Sequence, residues 1–374
     1  MNTKIPSMTV LSLATLAAFA SNVHAQQGSA SSVTLYGVVD AAVEHLSNVG
    51  GNASLTRMPG LTGGMAPSRL GFRGNEDLGG GLRAVFTLEQ GFGVDNGGLN
   101  QGGRTFGRQA FVGLSGDWGS VTLGRQYSML FWSQLDADLL GPAMFGSGSL
   151  DSYLPNARVD NAVAYRGTFS GVTLGGTYSF GRDTVNAGPS PSGTNCAGES
   201  ATDTKACRQW SLLAKYDTAQ WGVSAAVDEM RGGSGAFAGL TSSAMTDRRS
   251  TVAGWAKWGD FKFGAGVIAR RNEASTTTPR STLAYLGAAY NITPHWVVDG
   301  EWFKLDYKNS ANQATLLALR TTYHLSKRTA VYATAGHISN DGSLALSVSN
   351  AGTGSNPAAG GSQTGLGVGI RHSF

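Results

Sequence analysis

The chain has 374 residues, of which 41% are hydrophobic and only 14% charged, with a formal charge of +4. Its 54 glycines against 10 prolines are spread through short runs with no collagen-like period, which argues against both collagen and low-complexity disorder. Beyond the N-terminal leader no segment offers the roughly 18 uncharged apolar residues of a membrane-spanning helix.

The leader reads MNTKIPSMTVLSLATLAAFASNVHA: Lys4, an apolar stretch from Met8 to Phe19, then Val23-His24-Ala25 as a small-residue site. That pattern predicts a secretory signal peptide over residues 1–25 and a mature domain over 26–374. The first strand, SSVTLYGVVDAAVEH, puts Val33, Leu35, Gly37, Val39 and Ala41 on one face and Thr34, Tyr36, Asp40 and Glu44 on the other. This is period two. Further strands are predicted near 68–75, 81–92, 103–115, 118–125, 159–168, 171–181, 207–217, 220–230, 248–258, 260–272, 280–291, 294–308, 313–325, 328–339 and 362–374. With the first, they make an even number, sixteen. The strand near 294–308 shows a change of phase around Gly300, read as a bulge.

The joins alternate in kind. Tight turns such as EDLGGG and SGDWGS alternate with long connections near 46–67, 93–102, 126–158, 182–206, 231–247, 272–279, 308–313 and 340–361. An exported chain whose strands alternate and whose turns segregate in this way predicts an all-β, transmembrane, antiparallel β-barrel. The connection 126–158 stands out for its aromatics (Tyr127, Phe131, Trp132, Phe145, Tyr153) and acids (Asp136, Asp138, Asp151), and is expected to fold into the barrel. Cys196 and Cys207, in one polar stretch, are expected to form a disulfide in the oxidising periplasm. The last strand, GLGVGIRHSF, places Leu366, Val368, Ile370, His372 and Phe374 on one face, with Phe374 in an interfacial aromatic girdle.

The segments SVTLYGVVDAAVE, SRLGFRGNEDLGGGLRAVFTLEQGF, GRQAFVGLSGDWGSVTLGRQYS, VDNAVAYRGTFSGVTLGGTYSFG and GVGIRHSF resemble Gram-negative general porins of the β-proteobacterial branch. They cover both ends and the first half of the mature chain. The resemblance implies a sixteen-stranded barrel, a homotrimer and a third extracellular loop folded into the pore. It also implies an outer-membrane location among lipid and lipopolysaccharide, and assembly by the barrel-assembly machinery. Arginines carried over residue by residue as a pore-facing ladder are Arg69, Arg108 and Arg158, with Arg73, Arg83, Arg104, Arg125 and Arg320 as secondary pore-wall candidates. Period two puts Leu70 and Phe72 toward lipid with Arg69 and Arg73 toward the pore; matching to the family puts Arg108 inward and Phe111 outward. Opposite the ladder, Asp136 and Asp138 are the expected loop acids. The enterobacterial branch has a Pro-Glu-Phe-Gly-Gly turn where this chain has Pro142-Ala143-Met144-Phe145-Gly146, so one glutamate is missing.

The expected function is a water-filled passive diffusion channel for small ions and hydrophilic solutes, preferring anions because surplus positive charge lines a narrow, low-dielectric passage. The alternatives are a channel selective for phosphate or an organic acid, and an adhesin or receptor barrel. Outside the leader, His45, His295, His324, His337 and His372 show no metal-ligand spacing such as H-x-x-x-H, and no G-x-S-x-G elbow occurs. No enzyme, cofactor, metal or nucleic-acid partner is therefore expected.

Overall fold

The computed structural model describes residues 31–141, 143–182 and 195–374; the expected leader, Pro142 and the first part of the connection 182–206 lie outside them. Seventeen strands run in chain order: β1 (Ser32–Val49), β2 (Ala53–Arg57), β3 (Arg69–Gly79), β4 (Leu82–Gly91), β5 (Gln109–Gly116), β6 (Gly119–Tyr127), β7 (Arg158–Phe169), β8 (Val172–Ser179) and β9 (Gln209–Asp217), then β10 (Trp221–Arg231), β11 (Thr246–Trp258), β12 (Phe261–Asn272), β13 (Arg280–Thr293), β14 (Trp296–Tyr307), β15 (Gln313–His324), β16 (Thr329–Asn340) and β17 (Ser362–Ser373). All neighbouring pairs are antiparallel. β2 is a short hairpin folded back on the end of β1, so sixteen staves close the barrel.

Closure is made at β1, which pairs with β3 from Ser32↔Asn75 to Val38↔Arg69 and with β17 from Val38↔Ser373 to Leu46↔Gly365. The chain end seals this seam. Gly37 and Phe374 exchange backbone N–H···O bonds of 3.1 Å in both directions, and the Phe374 ring lies where a Cβ on Gly37 would come within 2.4 Å of Cζ. Closure leaves no strand edge to satisfy in lipid.

Alternation along β1 sorts its faces as the period predicts: Val33 and Leu35 are 68% and 53% exposed, whereas Asp40 and Glu44 are fully buried. On β17, Leu366, Val368 and Ile370 are exposed, as is Phe374 just beyond its end. Exposed aromatics flank the tight turns, among them Trp118, Phe169, Trp221, Trp258, Phe261 and Trp296, as in an interfacial girdle.

Two expectations are corrected here. The strand expected at 103–115 begins only at Gln109, because residues 101–107 turn, with Gln101, Gly102 and Gly103 at positive φ. β14 has no change of phase at Gly300, which pairs in unbroken register with Ala288 and Leu319. Asp299, Glu301, Phe303 and Leu305 are all buried on one face, alternating with exposed Val298 and Trp302. Phe303 and Leu305 suggested a shift because apolar residues were expected outside only.

They lie inside because the connection after β6 covers them. That connection carries a helix, α1 (Met129–Gln134), and two 3-10 turns. Its Leu140, Met144, Phe145, Leu150 and Tyr153 form one apolar cluster with inward residues of β12–β16, including Ile268, Leu283, Tyr285, Phe303, Leu316 and Ile338. Glycines on the wall make room for it. A Cβ on Gly365 would meet Phe145 Cζ at 2.6 Å, and one on Gly367 would meet Met144 Cε at 2.3 Å. The interior along β12–β16 is thus a packed core.

Candidate functional site: an arginine wall and the loop opposite

The tie between loop and wall is polar as well as apolar. The Met129 N–H donates to Ser211 Oγ (2.9 Å), Ser224 Oγ to the Ser133 carbonyl (2.6 Å) and the Leu140 N–H to Glu301 Oε2 (2.9 Å), while Ser149 Oγ donates to the Val348 carbonyl (2.7 Å) in the connection between β16 and β17. Arg249 clamps Asp151 through Nε (2.7 Å) and Nη2 (3.0 Å), and also reaches Asp247 at 3.2 Å; Arg270 reaches Asp247 at 2.7 Å. Burial alone would raise the Asp151 carboxyl, but Arg249 and Arg270 hold it below the usual carboxylate range. Tyr153 Oη donates to Asp228 at 3.0 Å.

The wall the loop leaves uncovered carries the arginines. Glu89 on β4 accepts from Arg108 Nε (2.7 Å) and lies 3.7 Å from Arg69 Nε. Arg108 Nη2 donates onward to Tyr127 Oη (2.8 Å), which also receives Arg158 Nη2 (2.9 Å). The Arg158 guanidinium sits 4.5 Å from the Tyr127 ring centroid, and Phe131 stacks on that ring at 3.8 Å. Arg69, Arg108 and Arg158 thus form one continuous cluster through Glu89 and Tyr127. Arg108 and Arg158 are buried, while the Arg69 side chain keeps 28% exposure. A second group lies beside it, where Arg104 (2.8 Å) and Arg125 both meet Asp160.

The other sequence-derived residues scatter. Arg73 lies over Tyr36, 5.3 Å from the ring centroid, and Arg83 stands near the turn end in register with Asp77 and Ser115. Arg320 is on the far wall, with Nε 3.0 Å from Asp299, and its Nη atoms reach the Leu139 and Leu140 carbonyls at 3.5 Å. The loop acids do not contact the arginine cluster. Asp136 is ion-paired to Lys215. Asp138 is buried in the loop's own turn, accepting from Ser147 Oγ (2.7 Å) and the Gly141 N–H (2.8 Å), and burial pushes its carboxyl up. Cys196 and Cys207 are joined in a disulfide, Cα to Cα 5.6 Å.

Phe111 requires a correction: it faces inward. It pairs with Thr87, which pairs with Arg73, whereas Val112 and Leu114 on the opposite face are exposed. Arg108 stands ahead of β5, outside the strand's alternation, so both it and Phe111 point inward. Phe111, with Arg73, Gln126, Trp132 and Arg166, lines a cavity of about 380 Å³ near the tight-turn end.

Glu89 and Lys215 were missed from sequence. Glu89 had a signal, since it alternates with Thr87 and Arg83 against the lipid-facing Leu88. Lys215 had none, because nothing local ties it to Asp136, 79 positions away.

The family profile described as Gram-negative porin matches residues 12–343. The chain belongs to the Gram-negative porin family. This porin is 29% identical over 420 residues to an outer membrane porin protein of Bordetella pertussis, covering 98% of this chain and 99% of that one. It is 30% identical over 358 residues to outer membrane porin protein 32 of Delftia acidovorans, covering 92% and 94%. Among solved structures, the anion-selective porin from Comamonas acidovorans superposes with a TM-score of 0.75 at 26% identity, covering 92% of this chain and all of that one. The porin is accordingly an outer-membrane β-barrel channel for passive diffusion, and family and fold are those of a channel.

Proposed function

We propose that this porin is a non-enzymatic, homotrimeric channel for small hydrophilic solutes with a preference for anions, working without a cofactor. The carrying observation is the charge balance of the uncovered wall. Arg69 and Arg108 share the carboxylate Glu89, Arg158 joins them only through the Tyr127 hydroxyl, and Arg104 and Arg125 meet at Asp160. The loop acids add little against them, since Lys215 engages Asp136 and Arg249 engages Asp151. With a screening length of about 8 Å at physiological salt, that surplus reaches across a narrow passage. Likeness to an anion-selective porin supports the same reading.

The ladder residues act as fixed field sources: Arg69, the most exposed, meets the permeating ion, while Arg108 and Arg158 set the potential behind it. The loop held to the opposite wall sets the width. The leader 1–25 is removed on export, and Phe374 serves barrel assembly as well as closure.

Reversal potential across a planar bilayer in a salt gradient tests the proposal. A clear cation preference would sink it. Saturable conductance blocked by one solute would instead indicate a selective channel, and a non-conducting barrel an adhesin. Native mass spectrometry reads the trimer.

A further inference from the structure

The outward faces of β11, β12 and β13 are in a register that aligns like with like. At the tight-turn end Trp258 pairs with Phe261 and Phe261 with Tyr290. At the other end Arg248 pairs with Arg271 and Arg271 with Arg280. All three arginines are exposed, and they share their strands' alternation with the exposed Val252, Val267 and Leu286. The inward alternates at that level, Asp247, Arg249 and Arg270, are engaged with one another and with Asp151. Between the aromatic row and the arginine row, every outward position on the three strands is uncharged: Ser250 to Ala256, Phe263 to Ala269, and Thr282 to Ala288, taking alternate residues.

Each arginine is ten residues from its strand's girdle aromatic. Ten residues at about 3.3 Å each, tilted by about 40°, rise about 25 Å along the membrane normal, which is the height of a barrel's apolar band. The row therefore stands at the upper edge of that band, on the long-loop side, level with outer-leaflet headgroups.

Three guanidinium groups directly opposite one another on neighbouring strands repel. The protein compensates only in part. Glu273 lies 3.3 Å from Arg271 but also accepts from the Thr246 N–H and hydroxyl. Glu229, in register with Arg248, is paired to Arg231 at 4.0 Å. Among the described residues, no carboxylate lies within ion-pairing distance of Arg248 or Arg280. Exposed Lys308, whose N–H donates to the Arg280 carbonyl, extends the row.

We propose that Arg248, Arg271 and Arg280 form a docking site for the phosphate-bearing headgroup of an outer-leaflet glycolipid of the lipid A type. Its phosphates take bidentate bonds from the guanidinium groups, and its acyl chains lie on Val252, Val267 and Leu286 below. A lipid satisfies both halves of this surface, whereas a soluble anion satisfies only the upper one. The inference rests on the outer-membrane porin reading only for which leaflet the row faces.

The test compares the folded protein in uncharged detergent with the Arg248→Gln/Arg271→Gln/Arg280→Gln variant, reading the thermal midpoint and bound lipid by native mass spectrometry. In detergent alone the variant melts at or above the parent, because the repulsion is gone. Added lipid A raises the parent's midpoint, inorganic phosphate at matched concentration does not, and affinity for lipid A falls about fivefold per arginine removed. A full lipid A response in the variant, or an equal response of the parent to inorganic phosphate, overturns the proposal. Should the triple variant not fold, Arg271→Gln alone carries the same comparison, with Arg271→Lys expected to fall between it and the parent. Reversal potential on the same preparations reads the channel separately and is unchanged by these outward substitutions.

Discussion

Glu89→Gln isolates the charge of the arginine wall from its shape. Glu89 is the one carboxylate between Arg69 and Arg108, at 3.7 and 2.7 Å, and glutamine keeps its size and an oxygen that accepts from Arg108. Losing one negative charge about 5 Å from the ion path changes the energy of a monovalent ion by about 0.8 kcal/mol in water-like dielectric. Screening over about 8 Å reduces this to about 0.4 kcal/mol. That is about twofold in population, favourable for anions and unfavourable for cations, so the anion-to-cation permeability ratio rises about fourfold. The variant is less stable by about 1–3 kcal/mol, because a charge-assisted bond to a buried guanidinium becomes a neutral one. Reversal potential in a tenfold KCl gradient, at low and high total salt, measures the ratio; the increase shrinks as salt rises. An unchanged ratio, or a shift toward cations, would refute the idea that this cluster sets the field in the pore.

Arg108→Ala and Arg158→Ala move the other way, each lowering the permeability ratio about fourfold by the same arithmetic while the trimer persists on semi-native gels; an arginine whose removal leaves the reversal potential unmoved does not belong to the ladder. Asp151→Asn breaks the buried clamp to Arg249, a loss of about 3–5 kcal/mol, and is read as noisier single-channel current from a loosened loop. In the native protein the Asp151 carboxyl is held below its unfolded value, so the clamp is at full strength above about pH 4 and weakens as pH falls through the folded value; noise that rises on acidification in the parent but not in the asparagine variant is the expected signature. Phe374→Ala uncovers Gly37 at the closing seam and lowers stability by about 1–2 kcal/mol, as suits a half-exposed aromatic, measured as the midpoint of urea unfolding; an unchanged midpoint would place its role outside the folded barrel.

Much of the cluster was legible because Arg69, Arg108 and Arg158 stand at or just before the starts of β3, β5 and β7, alternate strands of one wall, where strand order brings them together without any knowledge of the loop. Their connecting groups were harder. Tyr127 reads from sequence as one aromatic among several, and only its hydroxyl's position between Arg108 and Arg158 makes it the bridge. Asp136 and Asp138 were expected to oppose the arginines because acids on an inserted loop suggest a charged face. The fold uses them otherwise: a buried or wall-facing carboxylate is costly unless paired, so Lys215 and Ser147 take them.

Alternation with period two, tight turns against long ones, and an aromatic end on the last strand determined by themselves that this chain closes into an antiparallel barrel of sixteen staves. Those are local features, and a strand between lipid and water must alternate whatever surrounds it. Only the tertiary structure decided what each inward position meets. Phe303 and Leu305 point inward against a rule that treats the interior as water, and Phe145 lies over Gly365 across the barrel. The reason is that the connection after β6 turns one wall of the lumen into a hydrophobic core and leaves the other to the arginines. Where that loop lies depends on contacts between residues up to about 200 positions apart, such as Ser149 with Val348, which no local pattern encodes.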